Sequence, residues 1–292
     1  MTDANSTVGT LSCLSSLALI TVSGADRFTF LQGQLTNDIT KLGNKLMLAG
    51  YCSPKGRLLA TPRLFQDGET IGMIVAASNA DYLVKRLRMY VLRSKVTIEL
   101  ADNREVAGFV GSAPTNLGND TRVFELPCAL PQTRIAAALP CGLGLAIVPK
   151  GTVSAGLEPL WWAASAAAGQ PWVFGETAER FTPHAVNLDL IGGISFNKGC
   201  YTGQEVVSRI EHIGKTNRRT MVLAANDPLE LAAGVDLQEQ TVATVVYSAK
   251  LADRTLLLAE VSTEVAQGEA AIETTVATMH RLPLPYGWNR KK

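Results

Sequence analysis

Three features of the sequence predict an α+β fold. Strand-like runs and amphipathic helices alternate irregularly, without the ordered β-α-β-α series of a doubly wound sheet. From about Arg218 onward the helical periodicity ends, and β-rich segments separated by turn or polar residues follow. The length of 292 residues suits about two domains at roughly 100–200 residues each. With 47% hydrophobic and 18% charged residues, the composition supports a sizeable core and lies far from the signature of disorder.

Residues 1–12 are rich in Ser, Thr, Asn and Gly and are expected to fray. Residues 17–22 (LALITV) read as a strand. Ser23-Gly24-Ala25-Asp26 then caps a helix with Phe28, Leu31 and Leu35 on one face, at spacings of three and four. Segments 47–51 and 58–65 form a strand pair around Ser53-Pro54-Lys55-Gly56, a turn with Pro at its second position. Segment 71–77 is an apolar strand, and Ser78-Asn79-Ala80-Asp81 is expected to cap the next helix. That helix buries Leu83, Leu87 and Val91 and leaves Lys85, Arg86, Arg88 and Arg93 on a solvated face. Strands over 96–100, 106–110, 122–126 and 144–148 precede a helix over about 158–168. The last strands are 221–224, 241–247, 255–261 and 270–278, with no strong helix among them. A β-barrel or sandwich of about 75 residues is the simplest arrangement for them.

Charge and cysteine usage exclude several functions. With 27 Lys+Arg against 26 Asp+Glu the net charge is +1, which argues against a protein that coats nucleic acid, because counterion release needs a large, clustered cationic surface. The three histidines (His184, His212, His280) contain no H-x-x-x-H pair, so a zincin-type hydrolase is disfavoured and no metal site is expected. Five cysteines (Cys13, Cys52, Cys128, Cys141, Cys200), odd in number and without a C-x-x-C pair, indicate a reducing compartment and no disulfide framework. Asp3 precedes any basic residue, unlike the start of a signal peptide. The most apolar stretch, 135–149, is interrupted by Pro140, Gly142 and Gly144 and falls short of a bilayer span. A cytoplasmic, soluble protein with no membrane partner is expected.

One stretch differs in kind from its surroundings: Gly192-Gly193-Ile194-Ser195-Phe196-Asn197-Lys198-Gly199-Cys200-Tyr201-Thr202-Gly203-Gln204-Glu205. It reads as a loop leading into a helix that begins near Gly203. Gly199 and Gly203 permit positive φ and close approach of a ligand or another backbone. A thiol just ahead of a helix N-terminus and two residues from Lys198 has its thiolate favoured by the dipole and by the cation. Cys200 and Lys198 are the candidate catalytic residues, but the setting alone does not fix the kind of function: a Cys-His hydrolase would need His184 or His212 to approach Cys200. Cys13, Cys128 and Cys141 read as small buried hydrophobes, and Cys52 is less settled because it lies in a turn region.

The run Lys198-Gly199-Cys200-Tyr201-Thr202-Gly203-Gln204-Glu205 resembles the K-G-C-Y-x-G-Q-E signature of the YgfZ family of folate-binding proteins, which is related in fold to the glycine-cleavage T-protein, an aminomethyltransferase. The resemblance extends to Ser23-Gly24-Ala25-Asp26 with Phe30-Leu31-Gln32-Gly33-Gln34-Leu35-Thr36, to Cys52-Ser53-Pro54-Lys55-Gly56-Arg57, and to Ala168-Gly169-Gln170-Pro171 with Pro183 and Asn187-Leu188. It implies a three-part architecture around a central folate-binding opening. Two interleaved α+β, ferredoxin-like units would occupy residues 13–217, and a C-terminal β-barrel residues 218–292. It implies tetrahydrofolate or a derivative as cofactor, held by Trp161, Tyr201, Gly203 and Gln204. It also implies partners among iron–sulfur enzymes or cluster-assembly proteins, with tRNA reached only indirectly through enzymes that thiomethylate it. By itself Trp161 reads equally as a core residue beside Trp162. Lys55, Arg57, Arg209, Lys215, Arg218 and Arg219 could meet a folate's polyanionic glutamate tail, although each alone reads as solvated surface.

Two departures stand out. Leu17 occupies a position where some members carry a second tryptophan, and Arg57-Leu58-Leu59-Ala60 offers no carboxylate where the T-protein places one. An assembly factor whose Cys200 meets a cluster, a sulfur species or a partner thiol is thus favoured over a folate-dependent one-carbon transferase and over a binding module without chemistry. No classical catalysis is expected.

Overall fold

The computed structural model describes residues 9–287 except 116, 119, 128–138, 140, 141, 213, 215, 230–242, 268–270, 275 and 276. Cys128, Cys141, Lys215, the first residues of the apolar stretch 135–149, and parts of the expected strands at 241–247 and 270–278 lie outside the described residues. The fold is mixed α and β. The chain divides into two compact units, each drawn from separated segments. Among the described residues, one comprises Ser16–Asp102 with Pro171–Asn217; the other comprises Asn103–Gln170 with residues 9–15 and 218–287.

In the first unit, strand Leu17–Ser23 is followed by helix α1 (Arg27–Gln32), a hairpin of Arg63–Asp67 and Thr70–Ala76, helix α2 (Ala77–Met89) and strand Thr97–Leu100. The sheet order places Leu17–Ser23 between Thr70–Ala76 and Thr97–Leu100, with Arg63–Asp67 outside the hairpin partner and the short strand Met47–Leu48 at the edge. All pairs are antiparallel. This is the β-α-β-β-α-β arrangement of ferredoxin-like units. Ile20 and Val22 of the central strand, Leu31, Leu35, and Leu83, Val84 and Leu87 of α2 share its core.

The caps differ from expectation. Asp26 makes no side-chain cap on α1; its carboxylate accepts from the Lys95 backbone N–H at 2.7 Å instead. Helix α2 begins before Ser78, so the polar run 78–79 sits inside its first turn. There Ser78 Oγ accepts from Gly175 N–H and Asn79 Nδ2 donates to Leu59 O, both at 2.9 Å. Tertiary partners took up polar groups that the local sequence offered to the helix end. Val91 packs against the core from beyond the helix end.

The second unit has two sheets. One runs in the order Ser12–Cys13, Arg104–Val110, Leu143–Pro149, Arg122–Glu125, which repeats the strand arrangement of the first unit with the N-terminal strand in the place of Thr97–Leu100. The other runs Ala243–Lys250, Thr255–Ser262, Arg218–Ala225, Thr278–Leu282, Ala271–Glu273. Helix α3 (Glu158–Ala167) packs against strands of both sheets. This explains why its run from Trp161 to Ala167 is buried without a polar face: a helix apolar all round needs cover on every side.

The expected C-terminal barrel is corrected here. Among the described residues, the five strands form an open sheet whose edge strands, Ala243–Lys250 and Ala271–Glu273, do not pair with each other. Closure is unnecessary because both faces are covered. Leu257, Ala259 and Val261 face a cluster with Met221, Leu223, Val245 and Met279, and α3 packs on the same sheet. The strand Thr255–Ser262 is accordingly buried over nearly its whole length. A short helix, α5 (Thr263–Gln267), follows it where the sequence suggested none of strength.

Candidate functional site

Three of the sequence blocks meet in the first unit. The fourth helix, α4 (Gln204–His212), starts where the signature predicts. Gly203 has φ +83°, and a Cβ there would lie 2.5 Å from Ser53 O and 3.1 Å from the Gly56 Cα. Gly56 in turn has φ +67°, and a Cβ on it would lie 2.7 Å from Val206 Cβ. The Ser53–Gly56 turn, closed by a 2.9 Å bond from Gly56 N–H to Ser53 O, therefore packs backbone to backbone against the start of α4, and both contact points require glycine. Gly199, by contrast, has ordinary φ and open space around its Cα. The expectation of a tight backbone approach holds at Gly203 and not at Gly199.

The third block pins the loop from the other side. Thr36, fully buried, donates its hydroxyl to Gly193 O at 2.6 Å and accepts from Gly50 N–H at 2.7 Å, while its carbonyl accepts from Ser195 N–H at 3.0 Å. Asn37 Nδ2 donates to Leu48 O at 2.7 Å and Gly192 O at 2.8 Å. Sequence reasoning passed over both residues. Thr36 stood only at the end of a resembling block, and nothing in the sequence pairs Asn37 with a residue about 155 positions away.

Lys198 is half-buried at this junction. Its ammonium donates to the carbonyls of Gln32 (2.7 Å), Leu35 (2.6 Å) and Asn37 (2.8 Å), filling all three donors. These carbonyls lie at and just beyond the C-terminus of α1, where a cation is favoured. Burial pushes the Lys198 pKa down to about 8, opposed by the Asp38 carboxylate. The ammonium also stands 5.2 Å from the centre of the Tyr201 ring. Lys198 thus clamps the loop onto α1, an occupation that its expected influence on Cys200 did not include.

Cys200 is exposed, whereas Cys52 is buried and Cys13 half-buried. Burial pushes the Cys52 thiol up to about 12, and burial together with Glu105 pushes Cys13 up, so both stay protonated at neutral pH. Cys200, Tyr201, Thr202, Gly203, Gln204, Glu205, Ser208 and Pro54 line an open hollow of about 530 Å³. The Tyr201 phenol is raised by burial and by proximity to Cys52, so it remains a hydrogen-bond donor. Among the described residues lining the hollow, Glu205 is the one carboxylate, and it pairs with Arg209 at 3.4 Å across one turn of α4.

Trp161 lies in the other unit. It is 1% exposed; its Nε1 donates to Gly144 O at 2.9 Å, its ring meets Trp162 edge-on at 4.9 Å, and a Cβ on Gly108 would lie 2.5 Å from it. Within its unit it is a core side chain. Of the expected basic residues, Arg57 donates to Arg180 O at 2.8 Å, Arg209 takes part in the pair with Glu205, and Arg218 pairs with Glu260 at 2.7 Å.

No family model matches the chain. By fold, it is similar to the glycine cleavage system aminomethyltransferase T from Bartonella henselae, with a TM-score of 0.67 over 95% of this chain and 86% of that one at 15% identity. The class is therefore a T-protein-like fold. By sequence, it is 31% identical to the tRNA-modifying protein YgfZ of Yersinia pestis (strain Pestoides F) over 95% of this chain and 92% of the relative. It is equally 31% identical to that of Shigella boydii serotype 4 (strain Sb227), over 95% and 93%. The chain belongs to the YgfZ family of tRNA-modifying proteins. Among the described residues, no helix is long and apolar enough to cross a membrane.

Proposed function

We propose that the chain is a cytoplasmic folate-binding accessory protein that supports the maturation or repair of iron–sulfur enzymes, including those that thiomethylate tRNA, with Cys200 as its working thiol. The observation that carries this reading is the exposure of Cys200 on a loop pinned by Thr36, Asn37 and Lys198, at the edge of an open hollow. A thiol presented in this way meets a partner's cluster, sulfur species or thiol without rearrangement. One cysteine supplies one of the four ligands a cluster usually takes, so the partner supplies the others. The net charge of +1 agrees with a tRNA link that runs through client enzymes.

The residues around the hollow fit the polar edge of a folate better than its aromatic face. Gln204 offers an amide donor and acceptor, and the Tyr201 phenol is kept protonated; Gly203 is committed to packing against Ser53 and Gly56, and Trp161 to its own unit's core. Tyr201 and Gln204 would hold the cofactor here, and bound folate would supply a carrier for one-carbon units. We assign residues 13–217 to the folate-binding region and 218–292 to a C-terminal part. The transferase alternative has less support, since Arg57-Leu58-Leu59-Ala60 offers no carboxylate where the T-protein places one.

Calorimetry with tetrahydrofolate tests the cofactor. Saturable binding is expected, weakened about tenfold in Gln204→Ala, as loss of one hydrogen bond worth about 1–1.5 kcal/mol requires. Absence of any binding heat or fluorescence change removes folate from the account.

A further inference from the structure

We propose that His184, Asp189 and Glu211 form a binding site for a divalent transition cation, with Zn2+ the best fit. It stands apart from Cys200 and from the hollow, and it does not depend on the folate reading. The ligand atoms of the three side chains all lie within 4.8 Å of one another. His184 and Asp189 are buried, at 1% and 7% exposure, and the Glu211 side chain is 21% exposed. One imidazole nitrogen with two carboxylate oxygens is a borderline donor set that suits Zn2+, Co2+ or Mn2+ and, through its imidazole, disfavours Mg2+ and Ca2+.

The distances point the same way. His184 Nε2 and Glu211 Oε2 make a long hydrogen-bond contact of 3.4 Å. That is longer than the roughly 2.7–2.9 Å of a charge-assisted N–H···O bond. It matches the separation of about 3.4 Å between two ligands that sit about 2.0–2.2 Å from a tetrahedral centre. The backbone holds two of the ligands in place beforehand: Asn187 N–H donates to His184 O at 3.0 Å and Leu188 N–H to Pro183 O at 2.9 Å, around Asn187 with φ 63°. Glu211 lies in the last turn of α4 and is the least buried, so it has the freedom to close the remaining gap. Three protein ligands leave a fourth position to water, as in open zinc sites.

The placement gives the cation a use. Asp189 precedes the pinned loop by three residues, and Glu211 closes the helix that follows it. A cation held by both joins the two flanks of the segment that presents Cys200, and its binding stabilises the folded chain by mass action.

The full-length protein, stripped with a chelator, is titrated with Zn2+ by calorimetry and with Co2+ by visible absorption, in a Cys200→Ser background so that the exposed thiol does not compete. The expected result is one equivalent bound and a Co2+ spectrum of nitrogen and oxygen ligation without a thiolate charge-transfer band. The melting temperature should rise with Zn2+. His184→Gln and Glu211→Gln should each weaken binding at least as much as the roughly 10–100-fold known for loss of an outer-shell partner. Glu211→Gln, at the least buried of the three positions, keeps the test usable if His184→Gln does not fold. No saturable binding, or binding that survives in a folded His184→Gln or Glu211→Gln variant, overturns the proposal.

Discussion

At the scale of single residues, the loop is governed by where donors and acceptors end. Lys198 spends all three N–H groups on the carbonyls of Gln32, Leu35 and Asn37. Its removal leaves three acceptors short in a half-buried junction, and Lys198→Met should destabilise the protein by about 2–4 kcal/mol in urea unfolding. The same residue sets a pH dependence. Folded, Lys198 loses its proton near a pKa of about 8, while the unfolded chain keeps it up to the ordinary 10.5. Unfolding therefore takes up a proton between these values, and stability rises with pH across that window. Urea midpoints at about pH 7.5 and about pH 9.5 should show this slope in the wild type and lack it in Lys198→Met. Cys200 was legible as the exposed thiol because glycine, lysine and a coming helix surrounded it in the sequence. The work of Lys198 was not, since its acceptors are backbone carbonyls more than 160 positions away, and a carbonyl leaves no mark on residue type.

At the scale of elements, strands and helices were largely readable from periodicity, and the joints between them were not. Residues 17–22 and 255–261 alternate or run apolar over a length that only a strand suits. The caps at Asp26 and Ser78 failed because both side chains found partners across the fold: Lys95 N–H for one and Gly175 N–H for the other. The signature's two later glycines give a sharp contrast at this scale. Gly203→Ala places a Cβ 2.5 Å from Ser53 O at positive φ and should cost more than about 2 kcal/mol, shifting α4 away from the Ser53–Gly56 turn. Gly199→Ala meets open space at ordinary φ and should stay within about 0.5 kcal/mol of wild type. Denaturant midpoints of the two variants measure the difference.

At the scale of the whole molecule, the mixed α and β class was legible, and which separated segments pack together within a unit was not. Periodicity reports what each segment buries but not which distant segment it buries against. The fate of α3 makes the point: its apolar run announced burial, yet only the structure shows that strands from residues 104–149 and from 243–262 cover it within one unit. Tyr247 ties this arrangement together, donating to Gln170 O at 2.8 Å and lying 5.1 Å from Trp162. A chain ending at Asn217 should therefore expose α3, bind a hydrophobic dye and lose the near-ultraviolet dichroism of Trp161 and Trp162; an unchanged tryptophan signal would contradict the packing described. The central claim, that an exposed and pinned thiol does the work, is tested most directly by thiomethylated tRNA levels in a bacterial strain lacking its own family member. Wild type and Cys13→Ala should restore the modification, and Cys200→Ala should not, while remaining folded and abundant. Full restoration by Cys200→Ala would contradict the account.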